Sequence, residues 1–201
     1  MAVGATLAAV VLTTIIAASG LPGRWFGAAA PPVFNGRDIS QQSWGGPFTL
    51  QDAARRPRAL ADFRGKVVLL AFGYTHCPDV CPTTLAKFAQ VRRLLGADGA
   101  RVQGLFVTID PERDTAELLG AYVPSFDPTF VGLRGTEAQT DAVTRQFHAN
   151  YQIIDYRGNI LVDHTASTYV IDATGKARIV TPYDQSARAL ADDVAALLRA
   201  G

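Results

Sequence analysis

Cysteine is scarce in this chain: Cys77 and Cys81 are the only two among 201 residues. A pair this close cannot be the multi-bridge framework that staples small secreted domains, so its role is local. An excess of either charge is also missing, with 19 Lys plus Arg against 18 Asp plus Glu. A net charge of +1 offers no field for collecting phosphate backbones, which makes nucleic acid a poor partner. Internal repeats are absent, and so is low-complexity sequence beyond the N-terminal run. At this length the chain has room for one ordinary domain and a short appendage, not for two full domains.

Charge is absent altogether from Ala2 to Gly23, a stretch holding Leu7, Val10, Val11, Leu12, Ile15 and Ile16. At about 1.5 Å per helical residue this run reaches across a hydrocarbon core of about 30 Å. Residues 1–23 are therefore expected to form a transmembrane anchor. The competing reading is a cleaved secretory signal, with Ala28-Ala29-Ala30 as the small residues near its cut. Both readings export the remainder to the periplasmic or another extracytoplasmic face. No Lys or Arg precedes the run and only Arg24 closely follows it, so orientation is weakly coded. Residues 24–46, rich in Pro, Gly, Asn, Gln and Ser around Trp44, read as a linker, a tether or an edge segment.

The domain proper is expected over residues 47–201. Val67 to Phe72 is an unbroken apolar run of the length that suits a central strand covered on both faces. A cysteine-bearing loop follows, then a helix over Thr83 to Leu95 with Leu85, Phe88, Val91, Leu94 and Leu95 at helical spacing. Val102 to Ile109 reads as a second strand, Asp114 to Tyr122 as a helix opened by Asp and Thr, and Phe130 to Leu133 as a third strand. Thr136 with Gln139 matches a capping box for a helix running to about His148. Tyr151 to Tyr156 and Ile160 to Val162, around Arg157-Gly158-Asn159, read as a hairpin and as an excursion from the sheet. Strands at Thr168 to Ile171 and Ala177 to Val180, then a helix over Ser186 to Leu198, complete an α/β order with parallel units first and an antiparallel pair last. That order predicts a thioredoxin-like mixed sheet flanked by helices, carried on an N-terminal transmembrane helix.

Two thiols at the junction of a buried strand and a helix lie where free backbone N–H groups and the helix dipole favour thiolate. At i and i+4 the sulfurs can share one ion or close as a disulfide bond. A thioredoxin-type redox site uses Cys-x-x-Cys, whereas Pro78-Asp79-Val80 intervene here, and the wider gap suits chelation. Structural zinc wants four ligands of Cys and His type, which the two Cys would complete only with two of the chain's three His. Cu(I), a soft ion content with few ligands, is served by two thiolates and one imidazole. His164 is the best placed third ligand, in the loop before the strand at Thr168; the alternative is a hydrogen-bonded loop histidine. His76 reads as a thiolate-stabilising or structural neighbour of Cys77, and His148 as a cation at a helix end. No Pro lies between Pro128 and Pro182, so the cis-proline expected beside a thioredoxin redox pair has no candidate.

Gly73 to Pro82, the phrase Thr108-Ile109-Asp110-Pro111-Glu112-Arg113-Asp114-Thr115, and Asp163-His164-Thr165-Ala166-Ser167 together resemble the Sco/SenC proteins. The resemblance implies a membrane-anchored carrier that brings copper, as Cu(I) and also Cu(II), to the binuclear copper centre of cytochrome c oxidase. It carries the metal ligands onto Cys77, Cys81 and His164. It also implies that Asp79 tunes the charge of the site and that Asp110 to Asp114 shape a nearby loop; for Asp110, Arg113 and Asp114 a turn and helix cap with an internal ion pair is the simpler reading. Carriage changes no covalent bond, so an enzyme is not the first expectation. The second is a thiol–disulfide reductase that uses Cys77 and Cys81 to keep the acceptor's cysteines reduced. A peroxidase stands behind both, because the Arg and Thr or Ser that such a site needs cannot be placed from sequence.

Overall fold

A computed structural model of the chain describes residues 33–156 and 159–200. The strands are β1 (Arg37–Asp38), β2 (Thr49–Gln51), β3 (Pro57–Ala59), β4 (Val67–Gly73), β5 (Val102–Thr108), β6 (Val131–Leu133), β7 (Tyr151–Tyr156), β8 (Asn159–His164), β9 (Thr168–Ile171) and β10 (Ala177–Thr181). The α-helices are α1 (Val80–Leu94), α2 (Ala116–Tyr122), α3 (Glu137–Gln146) and α4 (Ala187–Ala200). Six strands form one sheet in the order β1-β10-β9-β4-β5-β6. The β4–β5 and β5–β6 pairs are parallel; β9 runs antiparallel to β4, and β10 to β9. This is the expected mixed α/β sheet with flanking helices, consistent with a thioredoxin-like fold.

The apolar run in β4 takes the middle of that sheet, and all seven of its residues are buried. Alternate residues serve opposite faces, as the pleat demands. Phe72 joins Phe147 and Tyr169 at ring separations of 5.7 and 5.8 Å, while Gly73 turns to the face covered by α1. Helices α1 and α4 pack side by side. Among the described residues strands β7 and β8 pair only with each other, so the hairpin is an excursion from the sheet. In the β9–β10 turn, Asp172 accepts the N–H groups of Thr174 and Lys176 while Gly175 takes φ +90°.

Several boundaries differ from expectation. Helix α1 begins at Val80, not Thr83, because Pro82 falls in the first turn, where the missing N–H would have had no helical partner anyway. Helix α2 begins at Ala116 with Thr115 as its cap, its side chain accepting from the Leu118 N–H, and Asp114 turns elsewhere. The capping box of Thr136 and Gln139 is present, but α3 stops at Gln146, and His148 has φ +53°. Residues 1–32, which hold the expected anchor, lie outside the described residues, as do Arg157 and Gly158 of the expected hairpin turn. Among the described residues no helix is long and apolar enough to cross a membrane.

The stretch read as tether or edge supplies the edge strand β1, paired with β10, and Ile39 beside it is fully buried. One carboxylate ties it down. Asp193 on α4, 1% exposed, accepts from the Asn35 N–H (2.6 Å), Asn35 Nδ2 (3.0 Å), the Gly36 N–H (3.0 Å) and Gln185 Nε2 (2.9 Å). Asp193→Ala strands those donors, and we expect an unfolding free energy lower by about 2–3 kcal/mol at unchanged m in urea. A midpoint equal to the parent's would contradict this role.

Candidate metal centre

Strand β4 ends at Gly73 and α1 begins at Val80, leaving Tyr74 to Asp79 as the loop between them. The loop turns back at once, the Cys77 N–H reaching the Tyr74 carbonyl at 3.3 Å. Cys77 is half-buried in this loop, and Cys81 is 3% exposed on the first turn of α1. Both cysteines are free. The room for Cys81 comes from Gly73: a Cβ there would stand 2.5 Å from Cys81 Sγ and 2.8 Å from the Phe106 ring.

The third member arrives from the excursion. His164 ends β8, opposite Tyr151 in the register of the hairpin. The base of the hairpin is closed by the Thr165 N–H to the Asn150 carbonyl (2.9 Å) and the Asn150 N–H to Thr165 Oγ1 (3.0 Å). Tyr151 also donates its hydroxyl to Asp141 on α3. His164 Nδ1 lies 3.2 Å from the Thr165 carbonyl oxygen, which can only accept, so Nδ1 carries the ring proton. The lone pair therefore sits on Nε2, 3.7 Å from Cys81 Sγ. One ligand atom from each of Cys77, Cys81 and His164 lies within 4.8 Å of the other two. Among the described residues no other group of three or more His, Cys, Asp or Glu side chains is gathered this closely.

The two thiols differ electrically. Burial raises the pKa of Cys77, but the N–H groups of Asp79, Cys81 and Val80 at the start of α1 outweigh it, and the net shift is downward. Burial drives Cys81 well upward, with further help from a charge on Cys77. Burial lowers the pKa of His164 and so favours the neutral ring, opposed in part by the Thr165 carbonyl. Cys81 thus holds its proton until a cation replaces it, since two thiolates in one dry pocket repel each other.

Behind the loop stands a carboxylate whose role sequence reasoning missed. Asp114, fully buried, accepts from the Thr75 N–H (3.0 Å), Thr75 Oγ1 (2.6 Å) and Thr108 Oγ1 (2.6 Å), pinning the cysteine loop to the end of β5. The expected ion pair in this phrase is present between Arg113 and Asp110, and the Arg113 guanidinium lies 5.8 Å from the Tyr74 ring centre. The available signal was a threonine just past one strand, Thr75, and another ending the next, Thr108, with an acid in the same phrase as Thr108. Asp79 is the N-cap residue of α1 without a side-chain cap bond, and its part in the site is the N–H it offers Cys77. His76 places Nδ1 3.2 Å from Thr75 Oγ1 and 3.6 Å from Asp114. His148 stacks on Trp44 at 4.8 Å and is not part of the cluster.

Comparison with known proteins matches the same elements. The protein SCO2 homolog, mitochondrial, of Bos taurus is 39% identical over 188 residues, spanning 88% of this chain and 69% of the bovine protein. Its namesake in Mus musculus is 41% identical over 134 residues, or 65% of this chain and 52% of the mouse protein. The chain thus spans about half to two thirds of the length of the curated relatives it matches. The solved structure of Bradyrhizobium japonicum ScoI with copper bound superposes with a TM-score of 0.70 at 35% identity, covering 77% of this chain and 99% of that one. The family model for SCO1/SenC matches residues 36–199, which take in β1, the cysteine loop, the Asp114 clamp and His164 alike. With the match running through nearly the whole folded unit, this chain belongs to the SCO1/SenC family.

Proposed function

We propose that the chain is a copper metallochaperone that binds one Cu(I) through Cys77 Sγ, Cys81 Sγ and His164 Nε2, accommodates Cu(II), and passes the ion to the binuclear copper site of cytochrome c oxidase. The observation that carries this reading is the cluster itself: two sulfurs and a tautomer-fixed imidazole nitrogen within 4.8 Å, a donor set that suits a soft ion. The copper held by the Bradyrhizobium relative points to the same cargo. Residues 1–23 serve in this proposal as the membrane anchor or export signal and 24–46 as the tether, which already joins the sheet at Arg37. Residues 47–201 form the exported copper-binding domain, facing the copper-bearing subunit of the oxidase or another copper donor or acceptor.

Anaerobic titration of the reduced full chain in detergent tests it. One Cu(I) per chain is expected, with binding lost on replacing both cysteines by serine and weakened about tenfold or more in His164→Ala. Stoichiometry unchanged by all three substitutions would overturn the site. Because Cys81 stays protonated in the free protein, copper must displace its proton, so apparent affinity should rise with pH through neutrality. A pH-independent affinity would contradict the exchange of proton for metal. Gly73→Ala pushes a methyl into Cys81 Sγ and Phe106, and should cost about 1–3 kcal/mol of stability while weakening copper binding.

The inequality of the thiols favours a second reading, the thiol–disulfide reductase. Cys77 is the accessible nucleophile and Cys81 the buried resolving thiol. The Cys77 thiolate attacks the acceptor's disulfide, Cys81 then displaces the acceptor thiolate, and the chain ends with a Cys77–Cys81 disulfide while the acceptor is reduced. Under either reading iodoacetamide should label Cys77 well before Cys81; equal rates would contradict the assignment. Reduction of an acceptor disulfide that survives His164→Ala would favour the reductase.

A further inference from the structure

A backbone carbonyl prepares His164 as a ligand by taking its Nδ1 proton. A second imidazole, one residue before Cys77, is prepared by the same device. Asp114 accepts from the Thr75 hydroxyl at 2.6 Å, so the single proton of that hydroxyl is committed to the carboxylate. His76 Nδ1 stands 3.2 Å from the same oxygen and 3.6 Å from Asp114 Oδ1. With its proton used, Thr75 Oγ1 meets the ring as an acceptor, and Nδ1 must be the donor. The lone pair of the neutral ring then lies on Nε2, which makes no hydrogen bond among the described residues. A carboxylate behind one ring nitrogen and a bare second nitrogen is the usual outer arrangement of a metal-binding histidine.

Exposure gives this nitrogen its direction. The His76 side chain is 50% exposed, and Cys77, the next residue, is the more accessible of the two thiols, with Cys81 buried behind it. Cys77 and His164 are the two partly exposed members of the three-ligand site, and on the Cys77 side an ion moving between the outside and that site passes the loop that carries His76.

We propose that His76 Nε2 and Cys77 Sγ form an outer, two-ligand site for Cu(I), occupied as the ion enters or leaves. The inference rests on the copper-carrier reading. On the way out, the bonds to His164 Nε2 and Cys81 Sγ break, a bond to His76 Nε2 forms, Cys77 Sγ stays attached, and Cys81 takes a proton from water. Copper remains Cu(I), and no electron moves.

His76→Asn tests this, because the amide keeps a donor toward Thr75 and Asp114 but removes Nε2. The full chain, loaded with Cu(I), is mixed with a chromogenic Cu(I) chelator, and both the transfer rate and the equilibrium competition are read. Transfer should slow roughly tenfold or more, the equilibrium should shift far less than the rate, and added free imidazole should recover speed. A rate equal to the parent's, a slowed rate that imidazole leaves slow, or an equal loss of rate and affinity would overturn the outer site. A parent chain that takes up no Cu(I), or a double serine variant that takes it up undiminished, would instead overturn the copper-carrier reading.

Discussion

Cys81 Sγ rests against the bare Cα of Gly73, at the end of the central strand, and the site is built outward from that contact. Any side chain on Gly73 would occupy the space of the sulfur, so the close approach of α1 to β4 requires glycine there. The approach fixes Cys81 on the first turn of the helix and leaves Cys77 in the loop just ahead of it, within reach of free N–H groups. His164 comes from a separate hairpin and completes the set from the other side. Two segments distant in sequence, the cysteine loop with its helix and the hairpin that ends at His164, thereby converge.

Burial then sets the chemistry. A neutral Cys81 and a neutral His164 are the cheap states of a dry pocket, and a bound soft cation would let two thiolates coexist there. Asp114 works one layer back. Its three accepted hydrogen bonds hold Thr75 to the end of β5, so the loop bearing Cys77 is fixed before any ion arrives. A loop held this way presents Cys77 at the partly exposed edge of the cluster, with Cys81 buried behind it.

Much of this was legible in the sequence because the signals were strong. The apolar run at Val67 to Phe72, the periodicity after Thr83 and the capping box at Thr136 each specify local structure almost unaided. The Cys pair and His164 were readable from residue type, spacing and topology. What escaped depends on tertiary partners. Strand β1 has two residues and no pattern, and it exists through pairing with β10 and the grip of Asp193. The start of α1 was misplaced because proline reads as a breaker although the first turn tolerates it. Asp114 looked like a helix cap, since no local signal says that its carboxylate reaches Thr75, 39 residues away.

The central claim is that two sulfurs and one particular imidazole nitrogen hold the same copper ion. X-ray absorption on the Cu(I)-loaded full chain counts those neighbours directly. The account predicts two sulfur and one nitrogen scatterers in the parent and loss of the nitrogen in His164→Ala. An all-sulfur first shell in the parent, or a nitrogen that persists unchanged in His164→Ala, would contradict it.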